Sequence, residues 1–193
     1  MLDVSPSTIS AQVSRLEQAL KVKLFHREDR PDRLVGELAL HHLDLLLLDS
    51  PLDPSLPVRA YSHALAEWPL AFFGTPKRVA QWSDGFPGSL ESAPLLVPTA
   101  GSAIRRQVDR FFEDHGVQCR LVGEFEDSAL MKAFSETGAG FFPAPAGLAE
   151  ELERRHGVVR LGVLDDYPVS YFAITIERHF EHPGVAAICG ARE

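Results

Sequence analysis

The sequence predicts an α/β fold, and three observations carry that prediction. Short runs of strand formers, such as Pro94-Leu95-Leu96-Val97-Pro98 and Arg120 to Phe125, alternate with segments whose apolar residues recur at helical spacing. Leu43-Asp44-Leu45-Leu46-Leu47-Leu48 is an apolar run of the kind used by a strand buried on both faces of a sheet. With 193 residues, 45% hydrophobic and 24% charged, the chain has an ordinary globular composition and is long enough for one or two domains with a proper core.

Charge and cysteine usage narrow the function classes. A net charge of −8 and a pI near 5.5 argue against a surface that binds nucleic acid throughout, so any such contact must be local. Up to Arg30 the balance is nearly neutral, with Arg15, Lys21, Lys23, Arg27 and Arg30 against Asp3, Glu17, Glu28 and Asp29, and the acidity belongs to the rest. Cys119 and Cys189 lie far apart without CxxC or Cys/His spacing, which suggests reduced thiols in a cytoplasmic protein. No signal peptide is visible and the Leu43 to Leu48 run is far too short to span a bilayer, so a cytoplasmic location without membrane contact is expected.

The first element is a helix from Ser5. The Ser5 hydroxyl can cap the free N–H groups of the first turn, and Pro6 suits a first-turn position where no N–H is needed. Ile9, Val13, Leu16 and Leu20 follow at spacings of four, three and four, giving one apolar face that must be buried. The other face and first turn carry Ser7, Thr8, Ser10, Gln12, Ser14 and Arg15, with no acidic residue before Glu17. Such a face can approach a phosphate backbone and base edges without repulsion, and an ordinary amphipathic surface helix fits the same pattern.

The composition shifts at Glu28-Asp29-Arg30-Pro31-Asp32-Arg33, a charged stretch with a helix-limiting proline and the expected domain boundary. A helix over Arg33 to His41 should follow, then the buried strand of the leucine run, with Asp49 and Ser50 at its carboxyl end, where open α/β sheets bind ligands. Val58 to Thr75 is rich in strand formers, clearest at Trp68 to Phe73, and Pro69 suggests an edge or an irregular start. After a loop over Gly85 to Glu91, Pro94 to Pro98 is a buried strand. Thr99-Ala100-Gly101-Ser102 then turns into a helix over Ala103 to His115, with Ile104, Val108, Phe111 and Phe112 on one stripe. A strand, a Thr/Gly/Ser turn and a helix N-terminus can hold an anion or polar group, and simple capping by Ser102 accounts equally for the residue types.

Arg120 to Phe125 is a strand, Asp127-Ser128 can cap a helix over Ala129 to Thr137, and Gly138-Ala139-Gly140 ends it. Phe141 to Pro145 is a strand and Ala146 to His156 a helix with Leu148 and Leu152 inward. Val158 to Val163 and Val169 to Ile176 are strands, and His182 to Gly190 is a last helix. This alternation indicates a largely parallel α/β domain.

Chemistry motifs are absent from the string. His41 and His42 have no HExxH pattern, and His63, His115, His156, His179 and His182 are scattered without a triad partner at motif spacing. No GxGxxG, GxxxxGK[ST] or GxSxG occurs. Glu126-Asp127 could offer oxygen ligands to a cation, although two carboxylates at a helix start more often serve as caps. No catalytic residue, metal ligand or cofactor is assigned.

The string Ser5-Pro-Ser-Thr-Ile-Ser-Ala-Gln-Val-Ser-Arg-Leu-Glu-Gln-Ala-Leu20, continuing through Val22, Leu24-Phe25 and Arg27, closely resembles the second half of the winged helix-turn-helix of LysR-type transcriptional regulators. The resemblance implies that Ser7, Thr8, Gln12 and Arg15 face DNA and that Leu24 and Phe25 pack the wing onto the helices. Residues 31 to 190 resemble the effector-binding domain of the same family, similar in fold to periplasmic binding proteins, with two α/β lobes and a ligand cleft. The blocks around Gly36 to Pro51, Pro94 to Arg106, Val122 to Phe134 and Gly140 to Pro145 look closest to the NhaR-like branch, which regulates sodium/proton antiporter genes.

The comparison with that family pattern leads to the expectation that the segments before Met1 and between Arg27 and Asp29 are missing, including the scaffold helices, the rest of the wing, the linker helix for dimerisation and the start of lobe one. The expected organisation is an α/β chain with an incomplete winged helix-turn-helix segment over 1–28. A two-lobed effector domain with lobe one truncated follows over 29–193, and 94–161 is the more complete lobe. Lobe one should then be the weaker lobe, exposing sheet edge and apolar surface. By resemblance, Asp49, Ser50, Thr99, Ser102, Glu126, Asp127 and Pro145 line the effector cleft. The implied function is a cytoplasmic DNA-binding transcriptional activator whose hold on double-stranded promoter DNA is controlled by a small molecule or monovalent cation. The alternative is a ligand-binding or dimerisation module that no longer binds DNA. Homo-oligomers are implied for the family, while the loss of the linker helix weighs against one for this chain.

Overall fold

The computed structural model describes residues 13–177 apart from residue 15, and residues 182–190. The chain divides into two compact units, residues 1–67 with 170–193, and residues 68–169. Strands β2 (Tyr61–Gly74) and β6 (Val159–Thr175) each begin in one unit and continue into the other.

In the first unit, helix α1 is helical at residues 13–14 and 16–20, and α2 spans Pro31–Ala39. Pro31 occupies the first turn of α2, where its missing N–H costs nothing. Leu34, Val35 and Leu38 form the buried face of α2 and pack with Leu46 of β1 (Leu46–Leu48) and Ile174 of β6. β1 runs antiparallel to β6, from Leu46 opposite Ile174 to Leu48 opposite Phe172. α7 (Pro183–Cys189) is capped by the His182 ring, which accepts from the Gly184 N–H.

Two expectations change here. The leucine run is not a strand buried on both faces: only three of its residues are extended, and Leu47 is 40% exposed. The chain leaves α2 just before the run, where the His41 and His42 N–H groups bond back to Leu38 and Glu37 and His41 takes a left-handed φ of 57°. Phe25, expected to pack a wing, is 95% exposed.

In the second unit, α3 (Pro76–Trp82), β3 (Pro94–Pro98), α4 (Ala103–His115), β4 (Arg120–Phe125), α5 (Ser128–Glu136), β5 (Phe142–Pro145) and α6 (Ala149–His156) follow in order. β3 and β4 are parallel, and Leu95 makes a parallel bridge to Phe141. Two apolar clusters fill the unit, one around Phe72, Leu95, Val108, Phe111 and Phe141, the other around Phe73, Leu96, Met131, Phe142 and Leu152. α4 begins and ends where its sequence says, because Ser102 caps it and Gly116 supplies the left-handed residue (φ 62°) after His115.

The strands form two sheets rather than a single, largely parallel one. The four-stranded sheet has the order β1-β6-β2-β5, with β1 antiparallel to β6 and β2 antiparallel to β5, and β3 and β4 make a two-stranded parallel sheet. β2 is thus an inner strand, and its pairing with β5 starts one residue after Pro69, at Leu70 opposite Pro145. Val158–Val163 and Val169–Ile176 are not separate strands. The stretch between them stays extended, with Gln107 Nε2 donating to the Pro168 carbonyl (2.8 Å) and Tyr167 donating to Asp114 Oδ2 (2.8 Å).

Candidate ligand site at the strand ends of the second unit

The carboxyl ends of the parallel strands β3 and β4 place two helix N-termini next to each other. Thr99 follows β3 and its N–H donates to the Phe125 carbonyl at the end of β4 (2.9 Å), which ties the two strand ends together. From there the chain turns through Gly101, at φ 100°, into α4. The turn needs glycine at that point, since a side chain at this φ is strained. Ser102 Oγ accepts from the Arg105 N–H (3.1 Å), and Asp127 Oδ1 accepts from the Ala129 N–H at the start of α5 (2.7 Å). Both helices therefore present capped, electropositive N-termini on the same edge of the parallel pair.

Arg105 stands at the centre of this edge. Its guanidinium contacts Asp109 (Nε to Oδ1, 2.8 Å), Glu124 (Nη1 to Oε2, 3.3 Å) and the Pro98 carbonyl (3.1 Å), with its side chain 19% exposed. The hydrogen bond it donates to Asp109 is the main reason its pKa is raised, against a partial loss from burial. Glu124 also accepts from the Ala100 N–H (3.3 Å), so the turn is bound from both sides. The N–H groups named here are bonded within the protein, and the arrangement gathers the hydroxyls of Thr99 and Ser102 and the carboxylates of Glu124 and Asp127 at one end of the parallel pair.

Of the residues singled out from sequence, Thr99, Ser102, Glu126 and Asp127 are brought to these strand ends, and Pro145 ends β5, buried. Ser102 and Asp127 both act as caps. Asp49 and Ser50 belong to the first unit, half-buried after β1. Ser7, Thr8, Gln12 and Arg15 lie outside the described residues. Sequence reasoning missed Arg105 and Glu124. The available signals were a guanidinium three residues after a capping serine and a single carboxylate at a strand end, both common on exposed surfaces. Among the described residues no three His, Cys, Asp or Glu side chains are grouped to hold a metal ion, and no helix is long and apolar enough to cross a membrane.

Two α/β units joined by long shared strands, with capped helix N-termini at the strand ends, define the class. Residues 10–190 match the LysR substrate binding domain, and the chain belongs to that family. It is 32% identical over 165 residues to the transcriptional activator protein NhaR of Escherichia coli K12, covering 84% of this chain and 53% of that protein, and equally to NhaR of Shigella flexneri. The chain thus spans about half the length of the curated relatives it matches. Among solved structures, it is similar to Vibrio fischeri DarR in complex with DNA, with a TM-score of 0.71 at 20% identity over 97% of this chain and 64% of that one. The Synechocystis CcmR regulatory domain in complex with 2-PG gives 0.66 at 14% identity over 95% and 88%. The bromide-bound regulatory domain of Salmonella typhimurium HypT gives 0.70 at 14% identity over 98% and 92%. The fold is therefore the two-lobed, periplasmic-binding-protein-like effector domain, mixed α/β, and the related proteins are transcriptional regulators rather than enzymes.

Proposed function

We propose that this chain is the effector-responsive part of a LysR-type transcriptional regulator of the NhaR-like branch. In this reading its hold on promoter DNA is set by a small effector or monovalent cation and is linked to sodium/proton antiporter expression. The observation that carries this reading is the 32% identity to NhaR over 84% of the chain, together with the family match over residues 10–190. Asp49 and Ser50 of the first unit, and Thr99, Ser102, Glu126, Asp127 and Pro145 of the second, are the proposed effector-binding residues. Ser7, Thr8, Gln12 and Arg15 are the proposed DNA-facing residues. The proposed boundaries are a DNA-binding segment over 1–28 and an effector domain over 29–193, with 94–161 as the more complete lobe.

A gel-shift titration on an antiporter promoter tests it, with and without sodium at constant ionic strength. A working regulator binds specifically at nanomolar concentration, loses affinity steeply with added salt and changes affinity with sodium. Binding that is weak and indifferent to sequence sinks the reading.

One observation favours a second reading, a ligand-binding or dimerisation module without DNA binding: the family match is to the substrate-binding domain. Sedimentation that shows a dimer, together with no specific gel shift, would select it.

A further inference from the structure

The described part of the segment resembling a recognition helix, residues 13–27 apart from 15, belongs to the first unit, and its contacts there form a connected set. Glu17 Oε1 accepts from the Leu24 N–H (2.9 Å) and pairs with Lys23 (3.7 Å), which folds residues 21–24 back against α1. Leu24 is half-buried beside α7: a Cβ added to Gly184 would stand 2.8 Å from Leu24 Cδ2 and 3.0 Å from His182 Nδ1, so the Leu24 side chain would have to shift to admit it. Arg27 then reaches two carboxylates, Glu37 on α2 (3.3 Å) and Asp29 (3.5 Å), and Asp29 also pairs with Arg33 (3.6 Å). On α1 the apolar positions Val13, Leu16 and Leu20 are half-buried while Ser14, Gln18 and Ala19 are exposed.

We propose that residues 17–27 form a latch that holds the N-terminal segment on the first unit, its guanidinium, Arg27, occupied by carboxylates that compete with DNA phosphate. The latch has an apolar half, Leu24 against Gly184, and an ionic half, Arg27 with Glu37 and Asp29. A polyanion that takes Arg27 releases the ionic half, so DNA binding and docking of the segment oppose each other. The competition with DNA rests on the proposed function, whereas the latch itself rests only on these contacts.

Two measurements on the full chain separate the two. Amide hydrogen exchange reads the latch: Gly184→Ala and Glu37→Gln should each speed exchange in residues 16–24 by about two- to fivefold, with α4 unchanged. Glu28→Gln removes the same charge from an exposed residue outside the clasp and should change nothing. Affinity for a short duplex then reads the competition, and Glu37→Gln should bind about three- to tenfold more tightly than Glu28→Gln at the same salt concentration. Unchanged exchange in both latch variants overturns the latch. Faster exchange with equal DNA affinity in Glu37→Gln and Glu28→Gln overturns the competition. Faster exchange with no DNA binding by any variant upholds the latch and sinks the DNA-binding reading.

Discussion

At the residue scale, close approach decides more than charge does. Gly140 is buried, and a Cβ there would stand 2.8 Å from the Pro94 carbonyl oxygen and 3.2 Å from Leu96 Cγ. The backbone of β3 cannot move away without breaking the bridge in which Phe141 N–H donates to Pro94 (2.8 Å) and Leu96 N–H donates to Phe141 (2.7 Å). Gly140→Ala is therefore expected to cost about 1–3 kcal/mol, read as a lowered unfolding midpoint in urea, while Gly36→Ala, with open space around it, costs nothing or stabilises. An unchanged midpoint in Gly140→Ala would contradict the tight junction. The Asp29 carboxyl is shifted acidic. The Arg30 N–H bonded to its carboxylate is the main cause, with Arg33 and Arg27 adding to it against desolvation, and together they hold it below the ordinary value of 3.8. Because the folded value is the lower one, its stabilising contribution is complete above the ordinary range and is lost as pH falls through the folded value. An NMR titration of the Asp29 carboxyl should show a midpoint below 3.8, and one at or above it would contradict the clasp around Arg27 and Arg33.

At the element scale, the two caps at the candidate site separate stability from recognition. Ser102→Ala and Asp127→Ala each remove an oxygen that accepts a first-turn N–H, and each should lower stability by about 1 kcal/mol. Ser102→Gly should cost only a few tenths of that, since glycine is tolerated at the cap. Thermal or urea unfolding of the three variants checks this order, and a Ser102→Gly chain as unstable as Ser102→Ala would contradict capping as the stabilising role. These elements were also the legible ones. The bounds of α4 follow from Ser102 and Gly116, and β3, β4 and the Asp127 cap follow from local pattern, because capping and glycine stops are properties of neighbouring residues. Strand direction was not legible. Nothing near Leu46 or Leu70 says that their partners are Ile174 and Pro145, more than 70 residues away and antiparallel. The continuity of β6 through Asp165-Asp166-Tyr167-Pro168 depends on Gln107 and Asp114 of α4, so it too was hidden from local reading. Arg105 and Glu124 were missed for the same reason, since their meaning lies in a contact across two strand ends.

At the scale of the whole molecule, the two units differ in how they are built, and that difference predicts their order of unfolding. The second unit is one continuous stretch, residues 68–169, with two buried apolar clusters that include Phe72, Phe73, Phe111, Phe141 and Phe142. Among the described residues the first, assembled from residues 1–67 and 170–193, has one apolar cluster, of Leu34, Val35, Leu38, Leu46 and Ile174. Burial of apolar area at about 25 cal/mol per Å² makes the smaller cluster the weaker source of stability, and joining two distant segments adds a loop-closure cost that a continuous unit does not carry. Native-state hydrogen exchange in increasing urea should therefore show amides of α2 and β1 losing protection at lower denaturant than those of α4 and β3. Phe72→Ala would locate the coupling between the units. If β2 transmits stability along its length, this core deletion, worth about 3–5 kcal/mol, lowers protection in β1 and α2 as well as in its own unit. If the units open independently, only the second loses protection. Loss of protection in α2 and α4 at the same urea concentration in the unmodified chain would contradict the division, and would mean that β2 and β6 bind the two cores into one cooperative structure.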